Sequence, residues 1–288
     1  KNKANYTPLS PVSFLERTAS VFPNYISIIS KEKIFKWRET YNRCVLLASS
    51  LINKKIKIGD VVSIMAPNTH VMYEAHFGIP MAGAIINTIN IRLDAKTISY
   101  ILSHSKTKLL LVDTEFLPTI RQALKIGKLK INIIAIKDEK QFSHNIQKEQ
   151  LYENFLLKGK KNFSYMMRIK DEWSPISLSY TSGTTSKPKG VVTHHRGAYL
   201  NAINNQIVWN MKKNPIYLWT LPMFHCNGWC FPWTISALAG TNICLRKIDT
   251  KKIFYLIRKH NVSHMCGTTV IINLLITNGT KLKNKIEF

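Results

Sequence analysis

Between the apolar run Ile176 to Tyr180 and the run Val191-Val192-Thr193 lies Thr181-Ser182-Gly183-Thr184-Thr185-Ser186-Lys187-Pro188-Lys189-Gly190, a hydroxyl-rich loop joining two strands. Gly183 and Gly190 can take backbone shapes closed to other residues. Main-chain N–H groups can then turn inward and form an anion nest with the hydroxyls of Thr181, Ser182, Thr184 and Thr185. Lys189 adds a movable positive charge. Donors fixed in this way suit a polyphosphate whose negative charge grows as pyrophosphate leaves, because they stabilise the transition state more than the ground state. The spacing is not that of a Walker loop, and no Gly-x-Gly-x-x-Gly fingerprint occurs. Composition alone leaves a flexible Ser/Thr/Gly linker as the alternative.

A second constellation is Pro222-Met223-Phe224-His225-Cys226-Asn227-Gly228-Trp229. His225 and Trp229 are four apart, so a helix beginning here would put an imidazole and a large apolar plate on one face. That pair suits a carboxylate at one end and an acyl chain at the other; the plainer alternative is a core His and a core Trp. His260 and His264 have the same spacing, but a break near Asn261 separates them, and metal ligation is not expected. His194-His195 reads as turn or surface. Cys226 and Cys230 lack a second pair at zinc-site spacing and read as small buried hydrophobes.

Positioning these groups requires buried strands alternating with helices. Ser13-x-x-Glu16 reads as a capping box opening a helix closed by Pro23. Tyr25 to Ser30 and Ile34 to Trp37 read as a strand pair, and Arg38 to Leu51 as the first long helix. After a turn at Gly59-Asp60, Val61 to Met65 is a buried strand, and further strands are expected at Lys108 to Val112, Ile131 to Ile136, Ile176 to Thr181, Tyr217 to Leu221 and Asn242 to Leu245. Short β-branched runs separated by helical stretches predict an α/β fold of mostly parallel sheets with flanking helices. The polar segment 137–173 interrupts the rhythm and reads as a surface insertion.

The 288 residues and 45% hydrophobic content fit a folded globular protein. The formal charge of +25 comes from 41 Lys and Arg against 16 Asp and Glu. The lysines are scattered along the chain, with a denser stretch at 158–161, and are not interleaved with aromatics, so they read as solvated surface and not as a nucleic-acid platform. Five cysteines, an odd number without a secretory leader, point to reduced thiols. No apolar run is long enough to span a membrane. The chain begins at Lys1, read as a cut or processed end.

The string 180–190 resembles the phosphate-loop signature of the adenylate-forming superfamily, which includes acyl-CoA synthetases, peptide-synthetase adenylation domains and luciferases. Ser186 stands where many members carry Gly, as in plant acyl-activating enzymes of the acetate-, butyrate- and benzoate-CoA ligase-like branch. The stretch 222–229 is similar to the family's next motif, and His195-Arg196-Gly197-Ala198-Tyr199-Leu200 and Gly240-Thr241-Asn242-Ile243-Cys244 are similar to the same branch.

The resemblance implies an acid–thiol ligase that uses ATP, Mg²⁺ and coenzyme A to activate a small carboxylic acid through an acyl-adenylate. It implies that Thr181, Ser182, Gly183, Thr184, Thr185, Ser186, Lys189 and Gly190 hold the nucleotide, and that His225, Lys189 and Thr185 serve catalysis. His225 would lie near the carboxylate, Trp229 would gate the acyl tunnel, and Gly267 and Thr268 would line the substrate pocket. Relatives commonly have Gly-Gly-Ala-Pro where this chain has Cys266-Gly267-Thr268-Thr269, so the pocket wall's backbone is open to question. The match runs over 1–288 but only to the front of the family pattern. The Tyr-Gly-x-Thr-Glu motif, the later ribose-binding Asp and the C-terminal lid domain with its Lys are not found. A truncated N-terminal domain is the expectation, inactive alone, with a noncatalytic remnant or binding protein as the alternative. Cytosol and peroxisome both fit reduced cysteines.

Overall fold

The computed structural model describes residues 5–165, 168–181 and 187–279. Among them are twelve strands: β1 (Ile26–Ser30), β2 (Lys33–Lys36), β3 (Val61–Met65), β4 (Ile85–Thr88), β5 (Leu109–Asp113), β6 (Asn132–Ile136), β7 (Gln150–Leu151), β8 (Pro175–Thr181), β9 (Lys189–His194), β10 (Ile216–Trp219), β11 (Thr241–Cys244) and β12 (His264–Met265). They form a seven-stranded sheet ordered β7-β6-β5-β3-β4-β8-β9 and a five-stranded sheet ordered β12-β10-β11-β1-β2. All pairings are parallel except the hairpins β1–β2 and β8–β9. This is the mostly parallel α/β architecture expected from the strand and helix rhythm.

Eleven α-helices, besides two short 3-10 helices, accompany the strands among the described residues: α1 (Val12–Val21), α2 (Trp37–Asn53), α3 (His70–Met81), α4 (Ala95–His104), α5 (Leu117–Ile126), α6 (Tyr152–Leu156), α7 (His195–Val208), α8 (Cys226–Trp229), α9 (Phe231–Ala237), α10 (Thr250–His260) and α11 (Thr269–Gly279). Every residue of α3 is buried, because the helix packs on β1 of one sheet and on β3 and β4 of the other. The main core therefore lies between the sheets. Helices α4 and α5 cover the far face of the seven-stranded sheet, and α10 and α11 cover that of the five-stranded sheet. With both faces covered, β3 and β5 are buried at every position and read as continuous apolar runs. No helix among the described residues is long and apolar enough to cross a membrane.

Several local expectations change. Ser13 does not cap α1 with Glu16: its hydroxyl donates back to the Ser10 carbonyl at 2.7 Å, and Glu16 instead accepts the Tyr165 hydroxyl at 2.7 Å. The 137–173 segment, expected as a surface insertion, supplies the edge strand β7 and buries Tyr152, Phe155, Leu156 and Tyr165 in the main core. Its polar composition reflects the exposed turns around these anchors. His195 is buried, not on the surface; its Nδ1 lies 2.8 Å from the Ser10 hydroxyl, and burial lowers its pKa to about 4. His194 caps α7, its Nδ1 accepting the Gly197 amide at 2.8 Å. The break at Asn261, which is left-handed, separates His260 at the end of α10 from His264 in β12.

Candidate active site

Parallel strands of both sheets end at one cleft, the usual place for a ligand in an open α/β fold. From the seven-stranded sheet come Asn68 beyond β3, Asn90 beyond β4 and Thr181 at the end of β8; from the five-stranded sheet come the 220–230 turn beyond β10, Arg246 beyond β11 and Thr268 beyond β12. His225, Phe224 and Asn90 line two adjoining cavities. The first, about 290 Å³, extends to Thr181 and Tyr180; the second, about 770 Å³, extends to Thr268 and Arg246.

The turn carrying His225 is anchored from the other sheet. The Asn68 side-chain amide donates to the carbonyls of Trp219 and Leu221, both at 2.9 Å, and its oxygen accepts the Met223 amide at 2.8 Å. Thr88 donates to the Phe224 carbonyl at 2.7 Å. Beyond His225 the chain does not enter an ordinary helix. Cys226, Asn227, Gly228, Trp229 and Cys230 all have positive φ, between 47° and 66°. Four of these are not glycine, at a cost of about 1 kcal/mol or more each, which the surrounding hydrogen bonds must offset. Gly228 is required on a second ground, since a Cβ there would come within 2.6 Å of the Trp219 ring. His225 and Trp229 therefore do not share a helical face. Trp229 is 56% exposed and lines a separate groove beside α7, with its carbonyl held by Asn205 at 2.9 Å. Cys226 and Cys230 form part of the wall between the His225 cavity and this groove. Cys226 is exposed, not a buried hydrophobe, whereas Cys230 is buried and its thiol pKa is pushed up to about 11 by burial; all five cysteines are free thiols.

At the hydroxyl-rich loop, Thr181 and Lys189 face each other across the antiparallel pair β8–β9 and close its base. Ser182, Gly183, Thr184, Thr185 and Ser186 lie outside the described residues. Gly190 does not contribute a left-handed turn: it is an extended strand residue opposite Tyr180, and a Cβ there would approach Leu178 to 3.0 Å. Both described ends of the loop lean on α4. The Tyr180 hydroxyl lies 2.7 Å from His104 Nδ1, and Lys187 Nζ sits 5.7 Å from the centroid of the Tyr100 ring, which stacks on His104. Burial, with a smaller contribution from Tyr100, pushes the Tyr180 phenol up to about 12, so it stays protonated at neutral pH.

Thr268 starts α11, its carbonyl accepting the Ile272 amide at 3.0 Å. The neighbouring Cys266 carbonyl accepts the Thr220 hydroxyl, which ties this wall to the end of β10 without a proline. Gly267 packs under Ile272. Deeper in the cleft, Arg246 binds both carboxylate oxygens of Asp113 (2.7 and 2.9 Å), Asp138 (2.9 Å) and Glu115 (2.6 Å). Burial alone would raise the Asp138 pKa, but the hydrogen bond and charge of Lys31 and the charge of Arg246 outweigh it and leave the carboxyl below its ordinary value.

Residues 15–287 match the family described as AMP-binding enzyme. The chain belongs to this family. It is 44% identical over 288 residues to the peroxisomal acetate/butyrate–CoA ligase AAE7 of Arabidopsis thaliana, covering 96% of this chain and 50% of that one. It is 47% identical over 283 residues to the peroxisomal benzoate–CoA ligase of the same plant, covering 95% and 49%. The chain thus spans about half the length of the curated relatives it matches. Its fold is also that of the long-chain-fatty-acid-CoA ligase FadD1 of Archaeoglobus fulgidus, with a TM-score of 0.84 at 18% identity over 97% of this chain and 55% of that one. The AMP-bound O-succinylbenzoate coenzyme A synthetase MenE of Bacillus subtilis superposes with a TM-score of 0.74 at 19% identity, over 92% and 64%.

In this member of the family the cleft joins His225 to Thr181 on one side and to Thr268 on the other; Trp229 lies outside both cavities. Sequence reasoning missed Asn68, Thr88, His104 and Arg246. Only Tyr100 and His104 offered a signal, as an aromatic pair at helical spacing. The others act through partners more than a hundred residues away in the chain.

Proposed function

We propose that this AMP-binding chain is the front part of an acid–thiol ligase. The substrate carboxylate attacks the α-phosphorus of ATP, the bond to the β-phosphate oxygen breaks, and pyrophosphate leaves an acyl-adenylate; the coenzyme A thiol then attacks the acyl carbon and expels AMP. The observation that carries this reading is the place of His225, between a cavity reaching the base of the hydroxyl-rich loop and a roomier one walled by Thr268.

In this reading Thr181, Ser182, Gly183, Thr184, Thr185, Ser186, Lys189 and Gly190 hold the ATP phosphates, and Mg²⁺ enters with them. Thr185 and Lys189 stabilise charge on the departing pyrophosphate, the preorganised electrostatics that dominate such reactions. His225 meets the carboxylate. Gly267 and Thr268 bound the acyl group, and Trp229 closes the passage between the His225 cavity and the α7 groove. The names of the two plant relatives favour a short aliphatic or an aromatic acid. Free thiols suit a reducing compartment, cytosol or peroxisome, and peroxisomal is the word in both names.

The 288-residue chain alone should not make acyl-CoA. The test is to assay it beside a version extended through the Tyr-Gly-x-Thr-Glu motif and lid domain of its relatives, with ATP, Mg²⁺, coenzyme A and a panel of short and aromatic acids. Turnover by the extended protein supports the ligase; none with any acid supports a noncatalytic binding protein.

A further inference from the structure

The far edge of the seven-stranded sheet, where β3, β5 and β6 begin, gathers much of the positive charge that looked scattered along the chain. The turn after α2 reads Lys54-Lys55-Ile56-Lys57-Ile58; the turn after α4 contains Lys106-Thr107-Lys108; the end of α5 reads Lys125-Ile126-Gly127-Lys128-Leu129-Lys130; and the turn after α6 reads Leu157-Lys158-Gly159-Lys160-Lys161. Adjacent strand registers bring the first three together, since β3 pairs with β5 and β5 with β6. The fourth joins them where Asn53, at the end of α2, donates to the Lys158 carbonyl at 2.8 Å. Lys54, Lys55, Lys57 and Lys108 line one shallow depression with Ile56 and a single carboxylate, Asp60.

These four stretches hold eleven lysines and no acidic residue, with Asp60 just beyond the first. Among the described residues none of these lysines is in an ion pair; those that are involve Lys31 and Lys247. Helix ends explain part of the pattern. Lys55, Lys106 and Lys128 are left-handed residues just past α2, α4 and α5, where a cation suits the helix dipole. That accounts for one cation per helix, not for the rest, and not for the aliphatic side chains set among them. Ile58, Ile126 and Leu157 are 55%, 51% and 80% exposed.

We infer that this edge is a docking surface for an anionic lipid bilayer. Lysines gathered on one edge sense an anionic leaflet together, and their long stems let the ammonium groups stay at headgroup level while neighbouring aliphatics enter the acyl boundary. A nucleic-acid surface would combine charge with aromatic or Arg side chains, and these four stretches have neither. Docked this way, the chain turns its cleft away from the bilayer, since the cleft lies at the opposite ends of the same strands.

The experiment is flotation of the 288-residue chain with phosphatidylcholine vesicles and with equal parts phosphatidylcholine and phosphatidylserine. Binding is expected on the second only, and is lost at raised salt. Lys54→Glu/Lys55→Glu/Lys57→Glu should weaken it on the order of a hundredfold. Lys33→Glu/Lys36→Glu/Lys251→Glu, the same change of net charge elsewhere, should leave it nearly unchanged. Ile58→Ser/Leu157→Ser keeps the charge and should weaken vesicle binding severalfold while leaving retention on heparin as it was. Thermal melting shows that each variant remains folded. Equal binding to both vesicles, equal loss in the two charge variants, or binding to random duplex DNA at lower concentration than to the anionic vesicles would overturn the inference. None of these outcomes depends on ligase activity.

Discussion

Asn68 and Met223 are joined by a hydrogen bond of 2.8 Å across 155 residues of sequence, the side chain from the end of one sheet receiving the amide of the turn beyond the other. With its two donations to Trp219 and Leu221, Asn68 satisfies three backbone groups that the cleft would otherwise leave buried and unpaired.

Asn68→Ala removes all three partners. At roughly 1–3 kcal/mol per buried group left unsatisfied, the substitution should lower the unfolding free energy by about 3 kcal/mol or more. Asn68→Asp keeps the acceptor for Met223 but turns a buried carboxylate oxygen on the Trp219 and Leu221 carbonyls, and should cost at least as much as Ala. Urea unfolding monitored by tryptophan fluorescence measures this. A midpoint unchanged in both variants would mean that the turn holds its left-handed path without Asn68.

Arg246→Met leaves Asp113 buried without its cation and Asp138 with Lys31 alone. Breaking one side of a buried ion cluster costs about 3–5 kcal/mol. Arg246→Lys should recover only part of it, because an ammonium cannot meet Asp113 through two parallel bonds. Comparing the thermal midpoints of the two variants checks this, with Lys expected nearer to Met than to the parent protein.

Most of the strands and their parallel α/β class were legible, because continuous apolar runs such as Val61 to Met65 and Leu109 to Val112 leave buried parallel strands as the simplest packing, whereas the strand order was not. β4 was missed because its core residue Asn87 is polar, its side-chain amide donating to the Ser63 hydroxyl across the sheet. Burial of His195 was illegible for a similar reason, its partner Ser10 being 185 residues away. The left-handed turn after His225 could not be told from a helical one since side-chain spacing carries no sign of φ; only Gly228 hints at it. The hydroxyl-rich stretch was read as a loop between strands, and the β8–β9 hairpin agrees.

Stability should fall in mild acid for an identifiable reason. Burial holds His195 and His76 at pKa values of about 4, below the ordinary 6.5 that they regain on unfolding. The unfolded chain takes up these protons first, so the stabilisation is intact above pH 6.5 and declines as pH falls from 6.5 to 4, by at most about 3 kcal/mol for each histidine. Urea midpoints across this range measure it, and His76→Gln/His195→Gln should flatten the slope. A slope as steep in the double variant would assign it to other groups.

Trp229 lines the α7 groove beside Cys226 and Cys230, which also border the His225 cavity. In the extended enzyme, Trp229→Ala should change the order of kcat/KM across a series of acid chain lengths, longer acids gaining on acetate by about tenfold or more, with the KM for ATP little altered. If the rank order is preserved, Trp229 has no part in selectivity.

In the proposed reaction the loop closed by Thr181 and Lys189 holds departing pyrophosphate beside a carboxylate at His225. Acid-dependent exchange of labelled pyrophosphate into ATP by the extended enzyme measures that step without coenzyme A. Exchange should require an added acid and fall on the order of a hundredfold in Lys189→Ala and in Thr185→Val, with the KM for the acid little changed. Exchange at the unmutated rate in both variants would contradict it.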